Sequence, residues 1–170
     1  RDFCHSVKGC QLAEALGTRI AQGAAAPSRC AHAMRVSAAC GNLPVVELLA
    51  AMPMTTFNKA YNFSEPLRRA CRAFVRCETE AQKRDIGECA RVLMRTARAD
   101  LDNPDKYLKS KLSAAQSLQK DGSKLSLLLL KDLREIAAAV AATDNSGGAA
   151  AAVQGKKRKA QTGESPLFLH

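Results

Sequence analysis

The chain has 170 residues, which is enough for one domain with a substantial buried core. Hydrophobic residues make up 46% of the sequence, but only 4% are aromatic and there is no Trp, so helices packed through small side chains are favoured over a β-sandwich. The formal net charge is +10, which favours an anionic partner such as nucleic acid, an acidic protein surface or an anionic membrane. No apolar run reaches the ~18 residues of a bilayer span, so no transmembrane segment is predicted and a soluble or peripheral protein is expected.

The seven cysteines lack the dense, regular spacing of a secreted disulfide scaffold. This pattern favours a reducing compartment and free thiols. One group of residues could supply zinc ligands, but its spacing matches no common site. Its members are Cys4, His5, Cys10, Cys30 and His32. No metal, no cofactor and no small-molecule substrate are therefore predicted.

Residues 1–62 are predicted to be an N-terminal helical region. Leu12, Leu16 and Ile20 stand at four-residue steps, which indicates a helix that ends near Gln22.

An αα-hairpin follows in the same region. Ser28 is a possible cap of its first helix, Gly41 and Asn42 stop that helix, and Pro44 lies near the first position of the second helix. A short helix is also expected around 55–61.

Residues 63–142 are predicted to form a four-helix region. Ser64 is placed as the cap of the first helix, and Thr79 with Gln82 is a plausible capping box for the second, which runs to about residue 100. The third helix begins at Pro104 and is broken at 121–123.

The fourth helix of this region is apolar around much of its circumference. Its main stripe includes Leu125, Leu129 and Leu133, while Leu127 and Leu130 fall off that stripe. A helix of this kind is usually central or clamped between neighbours.

Two arginine-rich faces are the most informative feature of the sequence. Helical spacing places Arg68, Arg69, Arg72 and Arg76 on the outer face of one helix, and Arg91, Arg95 and Arg98 on the outer face of the next. Guanidinium groups match phosphate oxygens as planar, two-pronged donors, so these residues are predicted to contact RNA phosphates. The alternative is a solvated face, or ion pairs with a neighbouring protein.

Residues 143–170 are predicted to be a flexible, basic C-terminal tail because their composition shifts to Gly, Ala, Ser and Lys. The tail contains Lys156, Lys157, Arg158 and Lys159. This run is interpreted as a second nucleic-acid contact, with a nuclear import signal and a plain charged tail as the alternatives.

The predicted fold is all-α, a bundle or array of six to seven helices arranged as antiparallel hairpins. No phosphate-binding glycine loop, metal-binding His-Glu motif or serine elbow is present in the sequence, so no enzymatic activity and no catalytic residues are predicted. The expected function is that of a non-catalytic structural subunit of a ribonucleoprotein, namely of a mitochondrial ribosome in the matrix. Its partners would be RNA and neighbouring proteins.

Two alternatives remain open from the sequence. One is an accessory structural subunit of an organellar membrane complex, and the other is a nuclear DNA-associated factor that uses Lys156–Lys159 for import. The chain begins at Arg1, which is expected either after processing or in part of a longer protein.

Overall fold

A computed structural model describes the backbone at residues 11, 15–19, 26–52, 63–96 and 104–152. Side chains are described in the same ranges except at 104, 105, 107 and 143–152. Within these ranges there are seven helices, besides a helical stretch at 15–19, and no strand. The helices are α1 Pro27–Cys40, α2 Leu43–Ala51, α3 Ser64–Arg76, α4 Glu80–Arg95, α5 Pro104–Ala114, α6 Gln116–Asp121 and α7 Lys124–Ala152. The prediction of an all-α fold with six to seven helices is confirmed.

Helices α3 and α4 form the centre of the fold. Helix α3 packs against α1, α4, α5 and α6, whereas α4 packs against α1, α2, α3 and α7. Both helices bury a regular apolar face, which includes Leu67 and Cys71 in α3 and Cys89 and Leu93 in α4. Burial of such stripes is the main driving force for helix packing.

One hydrophobic core extends from Cys30 in α1 to Ala137 in α7. It therefore contains residues of both predicted regions, 1–62 and 63–142, and α1 packs directly on α3 across that boundary. The predicted short helix at 55–61 lies outside the described residues.

The turn between α1 and α2 requires glycine at residue 41. Gly41 has φ +76°, a left-handed conformation that costs little only without a Cβ atom. A Cβ atom there would also lie 3.0 Å from the Cβ of Asp85 in α4. The side chain of Asn42 then caps α2 by accepting a hydrogen bond from the backbone N–H of Val45 at 3.5 Å.

Three predicted caps are not formed as expected. Helix α1 begins at Pro27, so Ser28 lies inside the helix, and Ser64 is likewise the first residue of α3 rather than its cap. Thr79 is the N-cap residue of α4, but its side chain makes no capping hydrogen bond. Gln82 instead accepts a hydrogen bond from the Cys77 thiol, with Sγ and Oε1 3.1 Å apart, so the capping box is absent.

The predicted third helix of the 63–142 region is divided at Ala115. The backbone N–H of this fully buried residue donates to the carbonyl of Leu112 at 3.2 Å, which tightens the helix by one residue. Leu118 of α6 is also fully buried. The apolar period alone does not reveal this break, because the buried positions on both sides keep helical spacing.

Helix α7 extends to Ala152, beyond the predicted start of the tail at residue 143. Alanines fill residues 149–152, and alanine is the strongest helix former. Residues 153–170, which hold the basic run, lie outside the described residues.

The predicted apolar stripe of α7 was wrong at two positions. Leu125 is 38% exposed, whereas Leu130, which was predicted to fall off the stripe, is 5% exposed. The helix packs through Leu129, Leu130 and Leu133 because α4, α5 and α6 contact it on that side.

Candidate nucleic-acid interface

An open groove of about 870 Å³ lies where the end of α1, the outer face of α3 and the start of α4 meet. Arg69, Arg72 and Arg76 line it from α3, and we call it the arginine groove. These residues lie at three- and four-residue steps, so helical geometry places them on one face. Cys40 from α1 and Gln82 from α4 also line the groove.

Glu65 neutralises part of the predicted arginine face. Its two carboxylate oxygens accept hydrogen bonds from Arg68 and Arg69, each at 3.1 Å. Both pairs lie within one turn of α3 and are well exposed, so each stabilises the helix only weakly. Arg68 does not line the groove.

Arg72 and Arg76 are different because neither forms an ion pair with an acid in the described part of the chain. Both side chains are exposed and lie about 6 Å apart along the helix axis, one turn from each other. Glu78 also lines the groove, so the arginines are not its sole charges. Arg72 and Arg76 are the two best placed described cations for an anionic ligand.

Arg91 connects two helices of the protein itself. Its guanidinium donates from Nη2 and Nε to Oδ2 of Asp132 in α7, at 2.6 and 3.2 Å, and from Nη1 to Glu88 at 2.8 Å. Its side chain is 25% exposed. The sequence predicted Arg91 as an outward residue, but the described contacts give it a role in joining α4 to α7.

The remaining predicted residues do not join the arginine groove in the described structure. Arg95 is exposed at the end of α4 and is not among the groove residues. Arg98, Lys156, Lys157, Arg158 and Lys159 lie outside the described residues.

Lys111 is a buried ionisable residue that the sequence did not reveal as part of the core. Only 1% of it is exposed, and its Nζ donates to the carbonyls of Leu93 at 2.7 Å and Met94 at 3.2 Å, and also to that of Thr96. The last carbonyls of a helix lack partners within it and accept hydrogen bonds from nearby donors, so Lys111 caps α4. Burial lowers the pKa of Lys111 to about 7. The sequence did carry a signal, because Lys111 lies four and seven residues before the apolar Ala115 and Leu118.

A second groove, of about 510 Å³, lies between α4 and α7. Leu125, Leu128 and Leu129 of α7 line it, together with Phe74 and Gly87, and we call it the leucine groove. Arg91 lies at its edge with its two acidic partners, and other charged side chains of both signs surround it. Arg91 of the second predicted arginine face therefore borders a different groove from Arg69, Arg72 and Arg76 of the first.

Five described cysteines are free thiols: Cys30, Cys40, Cys71, Cys77 and Cys89. Burial raises the pKa of Cys71 to about 12 and also raises that of Cys30, so both behave as small apolar side chains. No group of three or more potential metal ligands is found among the described residues. Of the candidate zinc cluster, Cys30 is buried and His32 is exposed, while Cys4, His5 and Cys10 lie outside the described ranges.

Comparisons with protein-family models, with curated proteins and with solved structures find no match for this chain. In the part of the chain that the structure describes, no helix combines the length and hydropathy that crossing a bilayer requires. Function is therefore inferred from the geometry of the described residues.

Proposed function

We propose that this chain is a non-catalytic structural subunit of a ribonucleoprotein, namely of a ribosome in the mitochondrial matrix. In this assembly it contacts RNA phosphates through the arginine groove. The observation that carries the proposal is the pair Arg72 and Arg76, exposed over an open groove without a described acidic partner. Each guanidinium can donate two parallel hydrogen bonds to a phosphate.

The position of these arginines on a packed helix favours binding. The backbone of α3 is already ordered by the core, so a ligand that binds the groove does not have to order it. The lysine-rich run at 156–159 adds positive charge, which attracts an anion at long range. Salt screens this long-range attraction strongly. The net charge of +10 favours the same class of partner.

The test compares two double variants that remove the same amount of charge. Arg72→Gln with Arg76→Gln removes the groove cations, whereas Arg29→Gln with Arg134→Gln removes two exposed arginines that do not line the groove. We expect the groove variant to bind mixed-sequence RNA at least about tenfold more weakly at physiological salt, since each cation that meets a phosphate adds to the electrostatic affinity. The control variant should be weakened much less.

The salt dependence provides a second readout. For single-stranded RNA, the slope of log K against log salt concentration should decrease by about 0.7 for each arginine that no longer neutralises a phosphate, or about 1.4 for the groove variant. Deleting 155–170 should weaken binding less than the groove substitutions do. Equal affinities for the two double variants, or a larger effect of the deletion, would contradict the proposed interface. Binding to anionic vesicles but not to RNA would favour the membrane-complex alternative.

A further inference from the structure

The start of α7 exposes an unusual amount of apolar surface. Among the described residues, the large hydrophobic side chains with substantial exposure are Val36 at 43%, Leu125 at 38%, Leu127 at 47% and Leu128 at 50%. Three of the four lie within four residues, and two of these line the leucine groove. Concentrated apolar exposure beside a groove indicates a binding surface, because single exposed leucines are common but clusters of them are not.

A short apolar segment of the same chain is suited to this surface. Leu167, Phe168 and Leu169 follow the polar stretch 153–166 and lie outside the described residues. We propose that this segment binds intramolecularly in the leucine groove, with its side chains packed against Leu125 and Leu128. This inference does not depend on RNA binding.

The length of the connecting chain permits this contact. From Leu128 to Ala152 the helix rises 1.5 Å per residue, so the ends of this part of α7 are about 36 Å apart. The chain from Ala152 to Leu167 can extend about 3.3 Å per residue, which gives a reach of about 50 Å. The segment can therefore return along α7 to the groove with length to spare.

The covalent connection also favours this path. Since both partners belong to one chain, the effective concentration of the segment at the groove is high.

The experiment measures cleavage by chymotrypsin at Phe168, followed by mass spectrometry of the full chain. Docking should protect this site, and Leu125→Ser with Leu128→Ser should accelerate its cleavage about fivefold, since cleavage follows the population of the undocked form. Val36→Ser provides the matched control, because Val36 is similarly exposed but lies outside the leucine groove. Cleavage at the same rate in all three proteins would overturn the proposal.

A second measurement does not depend on changing α7. Substituting Leu167→Ser and Phe168→Ser should shift the methyl resonances of Leu125 and Leu128 and leave those of buried Leu133 unchanged. The shifts should not depend on protein concentration. Concentration-dependent shifts would assign the occupant to a second copy and overturn intramolecular docking, and unchanged leucine resonances would overturn it as well.

Discussion

The arginine groove and the leucine groove show how similar cations on neighbouring helices acquire different tasks. Arg72 and Arg76 border the first groove without a described acidic partner, whereas Arg91 borders the second between Glu88 and Asp132. Because Arg91 donates hydrogen bonds to Glu88, one turn away, and to Asp132 on the facing helix, it joins two helices of the fold. The availability of an arginine for a ligand is thus set by its acidic neighbours rather than by its position on an outer face.

The largest effect on stability is expected at Lys111, which is 1% exposed and contacts the end of α4. Lys111→Ala should lower the free energy of unfolding by about 3 kcal/mol, because it leaves a cavity and removes the donor to three carbonyls. Lys109→Ala, at an exposed position of the same helix, should change it by less than about 0.5 kcal/mol. Urea unfolding of both variants measures the difference, and similar losses would contradict the capping role.

The pH dependence of stability tests the same group. The pKa of Lys111 is lowered by burial from 10.5 to about 7, so between these values the unfolded chain holds a proton that the folded chain has released. Stability should therefore rise with pH in this window, by up to about 1.4 kcal/mol per pH unit. The free energy of unfolding is measured against pH for the original chain and for Lys111→Met. The difference between the two curves removes the contribution of other groups, including the thiols. A flat difference between pH 7 and 9 would show that Lys111 stays protonated in the folded protein.

A smaller effect is expected where Arg91 joins α4 to α7. Asp132→Asn should lower the free energy of unfolding by about 1 kcal/mol, because the pair is close and Arg91 is partly shielded from water. Glu135→Gln is the matched control, since its contact with Lys131 is at 3.8 Å and highly exposed. Thermal unfolding should give a lower midpoint temperature for Asp132→Asn than for Glu135→Gln. Equal midpoints would mean that the ion pair between Arg91 and Asp132 contributes no stability.

The smallest effect on stability should come from the arginine groove itself. Arg72→Gln with Arg76→Gln should leave the free energy of unfolding within about 0.5 kcal/mol of the original chain, since neither side chain is buried or paired with a described acid. Urea unfolding checks this. A decrease above about 1 kcal/mol would place these residues among the structural cations and remove the contrast with Arg91.

The sequence was sufficient for the helical class and for most buried faces. In α3 and α4 a regular period separates Leu67, Cys71, Cys89 and Leu93 from the arginines, and the structure buries these four residues. The turn at Gly41 was also evident, because few residues tolerate a left-handed conformation. Local chemistry of this kind can be read from neighbours within one turn.

Contacts between distant residues could not be predicted in the same way. Nothing in the spacing of Arg91 and Asp132, which are 41 positions apart, reveals that they meet. The division of the helix at Ala115 and the exposure of Leu125 likewise depend on which helices pack nearby. The helical spacing of the arginines identified candidate phosphate contacts. Which groove each arginine borders depends on tertiary packing.

The link between Arg91 and Asp132 also bears on the order of folding. Helices α3 and α4 are separated only by residues 77–79, whereas α7 reaches α4 only after a long intervening chain has been closed into a loop. Closing that loop reduces chain entropy before any contact compensates for it. We therefore expect α7 to dock after α3 and α4 have assembled. In native-state hydrogen exchange, its amides should open at lower free energy than those of α4.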